Sequence, residues 1–146
     1  MLFRSYEDFG SPTTRDEVIQ TVSSITASGC DAVFTPTDNV IMDAELTIAP
    51  VLAEAGIPHY AGADSFVRNG AFATCGVNYT ELGKETARLA YDMIVNGVEN
   101  ARFAKSYEVM PGGIITVNTE TAQQLGIDTS VFAQFGELVE VLTTED

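Results

Sequence analysis

The stretch that decides the fold class is Asp31-Ala32-Val33-Phe34-Thr35-Pro36-Thr37-Asp38-Asn39. Its first half is a short, mostly apolar run between Gly29 and Pro36, which is typical of a strand that is covered on both faces. Its second half supplies three side chains that can cap a helix, directly before an apolar pattern of helical spacing. The stretch therefore predicts a buried strand that leads through a short polar loop into a helix.

Similar units continue on both sides of this stretch. Upstream, the apolar spacing predicts a helix over about residues 14–28, and downstream it predicts a helix over residues 40–55. A glycine follows each helix and marks its end. Pro50 is expected to bend or split the second helix, because an interior proline cannot donate the backbone hydrogen bond. A second short strand is predicted over residues 57–61.

The rest of the chain repeats the alternation of strand and helix. The predicted elements are an exit loop at 62–65 that leads into one helical turn through Arg68, a strand over 71–77, a helix over 79–96, a surface crossing over 98–105, strands over 107–110 and 114–117, and a short helix that begins near Asn118 and ends at Gly126. The pattern of residues 128–146 predicts no clear element, apart from one apolar run at 138–142. This order predicts an α/β fold in three layers, a parallel sheet with right-handed crossovers and helices on both faces.

The composition excludes several kinds of partner. The 146 residues include 7 basic and 21 acidic side chains, which give a net charge of −14. Because the basic residues do not cluster, nucleic acids and anionic membrane surfaces are not expected as partners. No apolar run approaches the length of a membrane-spanning helix, and Met1–Ser5 lacks the long apolar stretch of a secretory signal.

Little in the sequence suggests enzyme machinery. The spacing of Cys30 and Cys75 matches neither metal ligands nor a redox pair, so two buried free thiols are expected. The single histidine, His59, excludes a histidine metal cluster and lies inside a predicted strand rather than at its exit. No glycine-rich phosphate loop is present. The sequence therefore predicts no catalysis, no metal and no cofactor.

Polar side chains follow three of the predicted strands. In an open parallel sheet, ligands bind beyond the carboxyl ends of the strands, where loops lead into helix N-termini that attract anions. The candidate ligand-binding residues at these ends are Thr35, Thr37, Asp38, Asn39, Asp64, Ser65, Asn78 and Tyr79. Helix capping alone also explains most of them, so both interpretations stay open at this point.

These side chains suit a zwitterionic solute. Hydroxyl and backbone N–H groups at a helix start can bind a carboxylate, while Asp38 or Asp64 can bind an ammonium group. Tyr79 can supply an aromatic wall. An alternative is an enzyme of flavodoxin-like topology that uses the two aspartates with a metal ion. The binding hypothesis requires the three loops to meet along one rim of the sheet.

Four segments of the chain resemble a known family. They are residues 31–39, quoted above, Ala55-Gly56-Ile57-Pro58, Gly70-Ala71-Phe72-Ala73-Thr74, and Gly76-Val77-Asn78-Tyr79-Thr80-Glu81-Leu82-Gly83. Over about residues 14–127 the chain resembles the ABC transporter substrate-binding proteins of the tryptophan/tyrosine-uptake type, which are relatives of the type I periplasmic binding proteins. The resemblance implies a two-lobed receptor that closes on an amino acid, often an aromatic one. It also implies an extracytoplasmic location, periplasmic or as a cell-surface lipoprotein, and a membrane permease as partner.

The chain departs from this family in two respects. Family members are much longer, so the resemblance implies that residues 1–77 form an incomplete second lobe, that 78–105 form a crossing helix and linker that pack on a missing first lobe, and that 106–146 form return strands, a short helix and a tail. The apolar face of the helix over 79–96 would then be exposed, which predicts a dimer or a swapped assembly. Asn78 stands where many relatives are expected to have an acidic residue, and it brings no charge to a solute ammonium.

A second class of function remains open, because sugar-responsive transcriptional repressors share this fold. The chain would then be the effector-binding domain of a regulator. A helix-turn-helix encoded upstream would indicate that function, and a lipoprotein signal would indicate transport.

Overall fold

The computed structural model describes residues 7–77, 79–97 and 113–143. The helices and strands follow in the order α1 (Arg15–Ser28), β1 (Val33–Thr35), α2 (Asn39–Glu54), β2 (His59–Ala61), α3 (Asp64–Arg68), β3 (Ala73–Gly76), α4 (Tyr79–Asn96), β4 (Ile114–Asn118), α5 (Thr119–Leu125), a 3-10 helix (Thr129–Gln134) and β5 (Glu137–Val141). The predicted alternation of strands and helices is confirmed up to α5. The crossing over 98–105 and the strand over 107–110 lie outside the described residues.

Helices α1 and α2 pack against each other beside the sheet. The Thr14 side chain caps α1 by accepting a hydrogen bond from the Glu17 N–H, and the helix ends where Gly29 adopts a left-handed φ of 73°. Apolar side chains at helical spacing on the two helices, among them Val22 and Ile48, form one buried cluster. Each such side chain stabilises the fold by about 1.5–3 kcal/mol when fully buried. The cluster therefore holds α2 against α1 and against Val33 of β1.

The sheet has five strands in the order β1-β2-β3-β4-β5. The first three are parallel, and Val33 pairs with His59 while Thr35 pairs with Ala61. β4 runs antiparallel to β3, and β5 runs parallel to β4. The prediction of a parallel sheet is therefore wrong at the β3 to β4 step. A parallel crossover usually runs through a helix that packs back on the sheet, whereas α4, the described helix of this connection, buries none of its residues.

Helices cover both faces of the sheet, as predicted. On β2, Ala61 belongs to a buried cluster with Phe66 and Val67 of α3. Its neighbour Tyr60 points to the opposite face, because successive side chains of a strand alternate. There it packs with a second cluster that includes Ala122 of α5.

Several local predictions need correction. Pro50 does not split α2, which is continuous from Asn39 to Glu54. Pro50 and Leu46, whose carbonyl would accept its missing bond, are both exposed, so water can hydrate that carbonyl. Residues 129–141 form the 3-10 helix and the edge strand β5. None of the described helices has the length and apolar character needed to cross a membrane.

Candidate functional site

The loop after β1 leads directly into the N-terminus of α2. Thr35 is the last residue of β1, and Asp38 is the N-cap of α2. Oδ1 of Asp38 accepts hydrogen bonds from the backbone N–H groups of Val40 at 2.8 Å and Ile41 at 3.1 Å. The capping interpretation of Asp38 is therefore confirmed. Its second oxygen, Oδ2, accepts no hydrogen bond from the residues that the structure describes, so an exposed negative charge remains available at this loop.

The loops after β1 and β2 touch at Gly62. A Cβ atom on Gly62 would lie 2.7 Å from the backbone nitrogen of Thr37 and 2.7 Å from its Oγ1. Real side chains do not approach so closely, and only glycine fits at this position without a shift of the backbone. The contact brings Thr37 and Asp38 of the first loop next to the segment that carries Asp64 and Ser65.

Asp64 does not cap α3. The N-cap is Ala63, which makes no side-chain cap hydrogen bond, and Asp64 is the first helical residue. Its Oδ2 accepts a hydrogen bond from Nε of Arg68 at 2.6 Å, and both side chains are well exposed. The interpretation of Asp64 as a helix cap is therefore wrong. Because Arg68 offsets its charge, Asp64 is a weaker partner for a solute ammonium than Asp38. Ser65 follows on the exposed side of the same helix.

The third predicted loop is placed by topology only. β3 is parallel to β2, so both strands end at the same edge of the sheet, and Tyr79 begins α4 shortly after β3. Tyr79 is 69% exposed. No hydrogen bond or ring contact joins it to the other candidate residues within the described segments. Asn78 lies outside those segments.

A buried polar cluster below the first loop was not predicted from the sequence. Nε2 of His59 lies 2.8 Å from Oγ1 of Thr35, and Nδ1 lies 3.1 Å from Oε1 of Glu45. His59 is 2% exposed and Glu45 is 0% exposed. Nδ1 and the carboxylate are within ion-pair distance, but their alignment is not that of a hydrogen bond. Neither Glu45 oxygen nor Nδ1 of His59 has a hydrogen-bond partner in the described part of the chain.

The sequence does contain a signal for this cluster. Glu45 lies on the same face of α2 as Ile48 and Leu52, three and seven residues further on, which are two fully buried apolar positions of the helix. A carboxylate on an apolar stripe must find a buried partner or lose stability. The single histidine, inside the neighbouring strand, was the available candidate.

The opposite face of the sheet is uncovered at the same edge. Phe34 is 69% exposed, and Cys75 is also exposed. Cys30 and Cys75 are both free, as predicted, but the prediction that both are buried is wrong. Cys75 is exposed because none of the described helices covers this end of β1 and β3 on the face that carries Phe34 and Cys75.

Other features do not point to a metal site or a second solute site. An open groove of 260 Å³ is lined by Leu46, Pro50, Gly70, Thr121 and Gln124, among others, and none of the eight candidate residues contributes to it. Within the described ranges, no three His, Cys, Asp or Glu side chains are close enough to hold a metal ion. The loops at the sheet edge therefore remain the best candidate site.

Comparisons with known proteins found a matching family model and several similar proteins. The family model described as ABC transporter substrate binding protein matches residues 12–133. A curated tyrosine-binding protein from Clostridioides difficile is 34% identical over 82 residues, which cover 56% of this chain and 24% of that protein.

Solved structures match more of the chain. An ABC domain in complex with L-Trp from Streptococcus pneumonia has 26% identity and a TM-score of 0.65, and the match covers 86% of this chain and 43% of that one. The ligand-free, open structure of a substrate binding protein with adhesive properties from Clostridium difficile has 28% identity and a TM-score of 0.64, with 91% and 43% covered. The chain thus spans less than half the length of the proteins that it matches.

Proposed function

Since the chain belongs to the ABC transporter substrate-binding protein family, we propose that it forms part of the solute-binding component of an importer and captures an amino acid. The family is one of binding proteins rather than enzymes, in agreement with the absence of catalysis predicted from the sequence. The observation that carries the proposal is the contact between the first two polar loops at the carboxyl edge of the sheet. Beside this contact, Oδ2 of Asp38 accepts no hydrogen bond from the described residues and can bind a charged group of the solute.

Each loop has a role in this proposal. Thr37 and Asn39 bind the carboxylate of the solute through hydroxyl, amide and backbone N–H groups, because Asp38 already occupies the N–H groups of Val40 and Ile41 at the N-terminus of α2. Asp38 binds the ammonium group, and Asp64 with Ser65 lies on the other side of the solute. Asn78 and Tyr79 close the third side. We expect the solute to have an aromatic side chain, because the similar proteins include a tyrosine-binding protein and a domain in complex with L-Trp.

The wider setting is also a proposal. A receptor of this family that delivers its solute to a membrane permease works outside the cytoplasm, in the periplasm or on the cell surface. The chain spans 43% of the matched solved chains, so tight capture is expected to need a second lobe that closes over the first. The chain alone should bind more weakly than a protein with both lobes.

The test is a binding screen of this chain and of the complete product of its gene. Thermal shift with each of the standard amino acids should show stabilisation by L-tryptophan or L-tyrosine, since a ligand that binds only the folded state raises its melting temperature. Isothermal titration calorimetry then gives the affinity, with the deaminated form of the best solute as control. A complete gene product that no amino acid stabilises would contradict the proposal.

A further inference from the structure

The buried cluster of Glu45, His59 and Thr35 forms a chain of polar contacts from the core to the candidate site. Glu45 comes from α2, His59 from β2, and Thr35 from the carboxyl end of β1. The imidazole lies between the other two groups, 3.1 Å from the carboxylate and 2.8 Å from the hydroxyl. Only Thr35 is partly exposed, and it is the one member that can reach a solute.

The carboxylate determines which imidazole nitrogen carries the proton. An ionised carboxylate only accepts hydrogen bonds, and a neutral imidazole has one N–H and one acceptor nitrogen. Because a lone pair on Nδ1 would repel the carboxylate oxygen 3.1 Å away, hydrogen is favoured on Nδ1, and Nε2 is left as an acceptor. The Thr35 hydroxyl must then donate to Nε2, so both of its lone pairs stay available as acceptors.

We propose that Glu45 and His59 are positioning residues that make the Thr35 oxygen a hydrogen-bond acceptor, which selects solutes with a donor such as an ammonium group. The inference rests on the proposed function and deepens it, because it names the solute group that donates a hydrogen bond to Thr35. A buried carboxylate without hydrogen-bond partners destabilises the fold, so a role of this kind also explains why Glu45 is present.

The tautomer of His59 can be measured without any solute. His59 is the only histidine of the chain, so its two ring nitrogens are assigned without ambiguity in a nitrogen-15 correlation spectrum at neutral pH. The expected spectrum is that of a neutral ring with hydrogen on Nδ1. Glu45→Gln should move both signals towards the other tautomer, whereas the exposed Glu54→Gln on the same helix should leave them unchanged. Hydrogen on Nε2 in the unaltered protein, or a charged imidazolium, would overturn the inference.

The selection step is tested with three related probes. L-tryptophan and tryptamine carry the ammonium group, and indolepropionate lacks it. Thr35→Val, which removes the hydroxyl at similar volume, should weaken binding of the first two by about tenfold and leave indolepropionate unchanged, while Thr35→Ser should retain the affinities. Glu45→Gln should lower the ratio of the L-tryptophan affinity to the indolepropionate affinity as Thr35→Val does. A merely structural role of Glu45 would not alter this ratio.

The outcomes separate the two proposals. Equal weakening of all three probes by Thr35→Val, or no weakening, contradicts the inference alone. Failure of every probe to bind the unaltered complete gene product contradicts the proposed function and the selective role of Thr35 with it.

Discussion

Gly62 approaches Thr37 so closely that a side chain at position 62 would collide with the backbone of the β1 to α2 loop. The added Cβ atom would lie 2.7 Å from the Thr37 nitrogen and 3.1 Å from the carbonyl carbon of Pro36. The obstruction is backbone, which cannot rotate away as the end of a flexible side chain could. The two loops of the candidate site therefore depend on this glycine for their mutual placement.

Gly62→Ala is expected to destabilise the protein by about 1–3 kcal/mol, because overpacking forces the backbone to shift. It should also weaken L-tryptophan binding, since Thr37 and Asp38 would move. The matched control is Gly83→Ala in α4, where a Cβ atom meets nothing within 4 Å and alanine favours the helix by roughly 0.8–1 kcal/mol. Urea denaturation of both variants measures the difference. A Gly62→Ala protein with unchanged stability and affinity would contradict the role of the contact.

Asp38 has two roles that substitution can separate. Asn caps a helix about as well as Asp, so Asp38→Asn should keep the stability of the protein, while Asp38→Ala should lower it by about 1 kcal/mol. Binding should respond differently, because only Asp carries the charge. In the complete gene product both variants should lose about 2 kcal/mol or more of solute binding energy. If calorimetry finds full affinity in Asp38→Asn, Asp38 is a cap and nothing more.

The start of α1 should contribute to the pH dependence of stability. Oε2 of Glu17 accepts hydrogen bonds from the backbone nitrogen of Thr13 at 2.7 Å and from its hydroxyl at 3.0 Å. The backbone bond first, and then the hydroxyl bond, lowers the pKa of Glu17 below its usual value. A lowered folded-state pKa gives stability that is complete above the usual carboxyl pKa and is lost as the pH falls through the lowered value.

Glu17→Gln should therefore lower the melting temperature at neutral pH, and the difference from the unaltered protein should shrink in acid. Calorimetric melting curves from neutral to strongly acidic pH measure this. Asp16→Asn is the control, because Asp16 lies in the same first turn and makes no hydrogen bond in the described structure. If the melting temperatures of Glu17→Gln and the unaltered protein differ by the same amount at every pH, the charge of Glu17 does not contribute to stability.

Helix ends and buried strands were predictable because their signals are local. The Thr14 cap, the Gly29 stop and the Asp38 cap are each determined by a few neighbouring residues, and the structure has all three. The short, apolar β1 and β2 were predictable for the same reason, although each has only three residues in the structure.

Features that depend on distant parts of the chain could not be predicted in this way. The direction of β4 depends on whether α4 packs on the sheet, and no local pattern reveals that. The contact of Gly62 with Thr37 and the pairing of Glu45 with His59 join different elements. The sequence thus indicated the edge of the sheet that holds the candidate site but not the buried groups that support it.

The exposed face of α4 predicts self-association of this chain. Leu82, Met93 and Ile94 are exposed by 37%, 42% and 82%. At 3.6 residues per turn they lie on one broad stripe of the helix, together with Ala90. An exposed apolar stripe of this kind favours association. We therefore expect a concentration-dependent dimer in sedimentation velocity experiments.

Ile94→Glu should raise the dimer dissociation constant by about tenfold or more, because it places an unpaired charge in the apolar contact. Val95→Glu is the matched control. It replaces an exposed apolar side chain of the same helix and adds the same charge, but it lies about a quarter turn away, towards the side of Lys84 and Arg88. Ile94→Glu and Val95→Glu should therefore differ in association and agree in net charge. Equal sedimentation of the two variants would show that the stripe is not the contact, and that general charge repulsion controls association of this acidic chain.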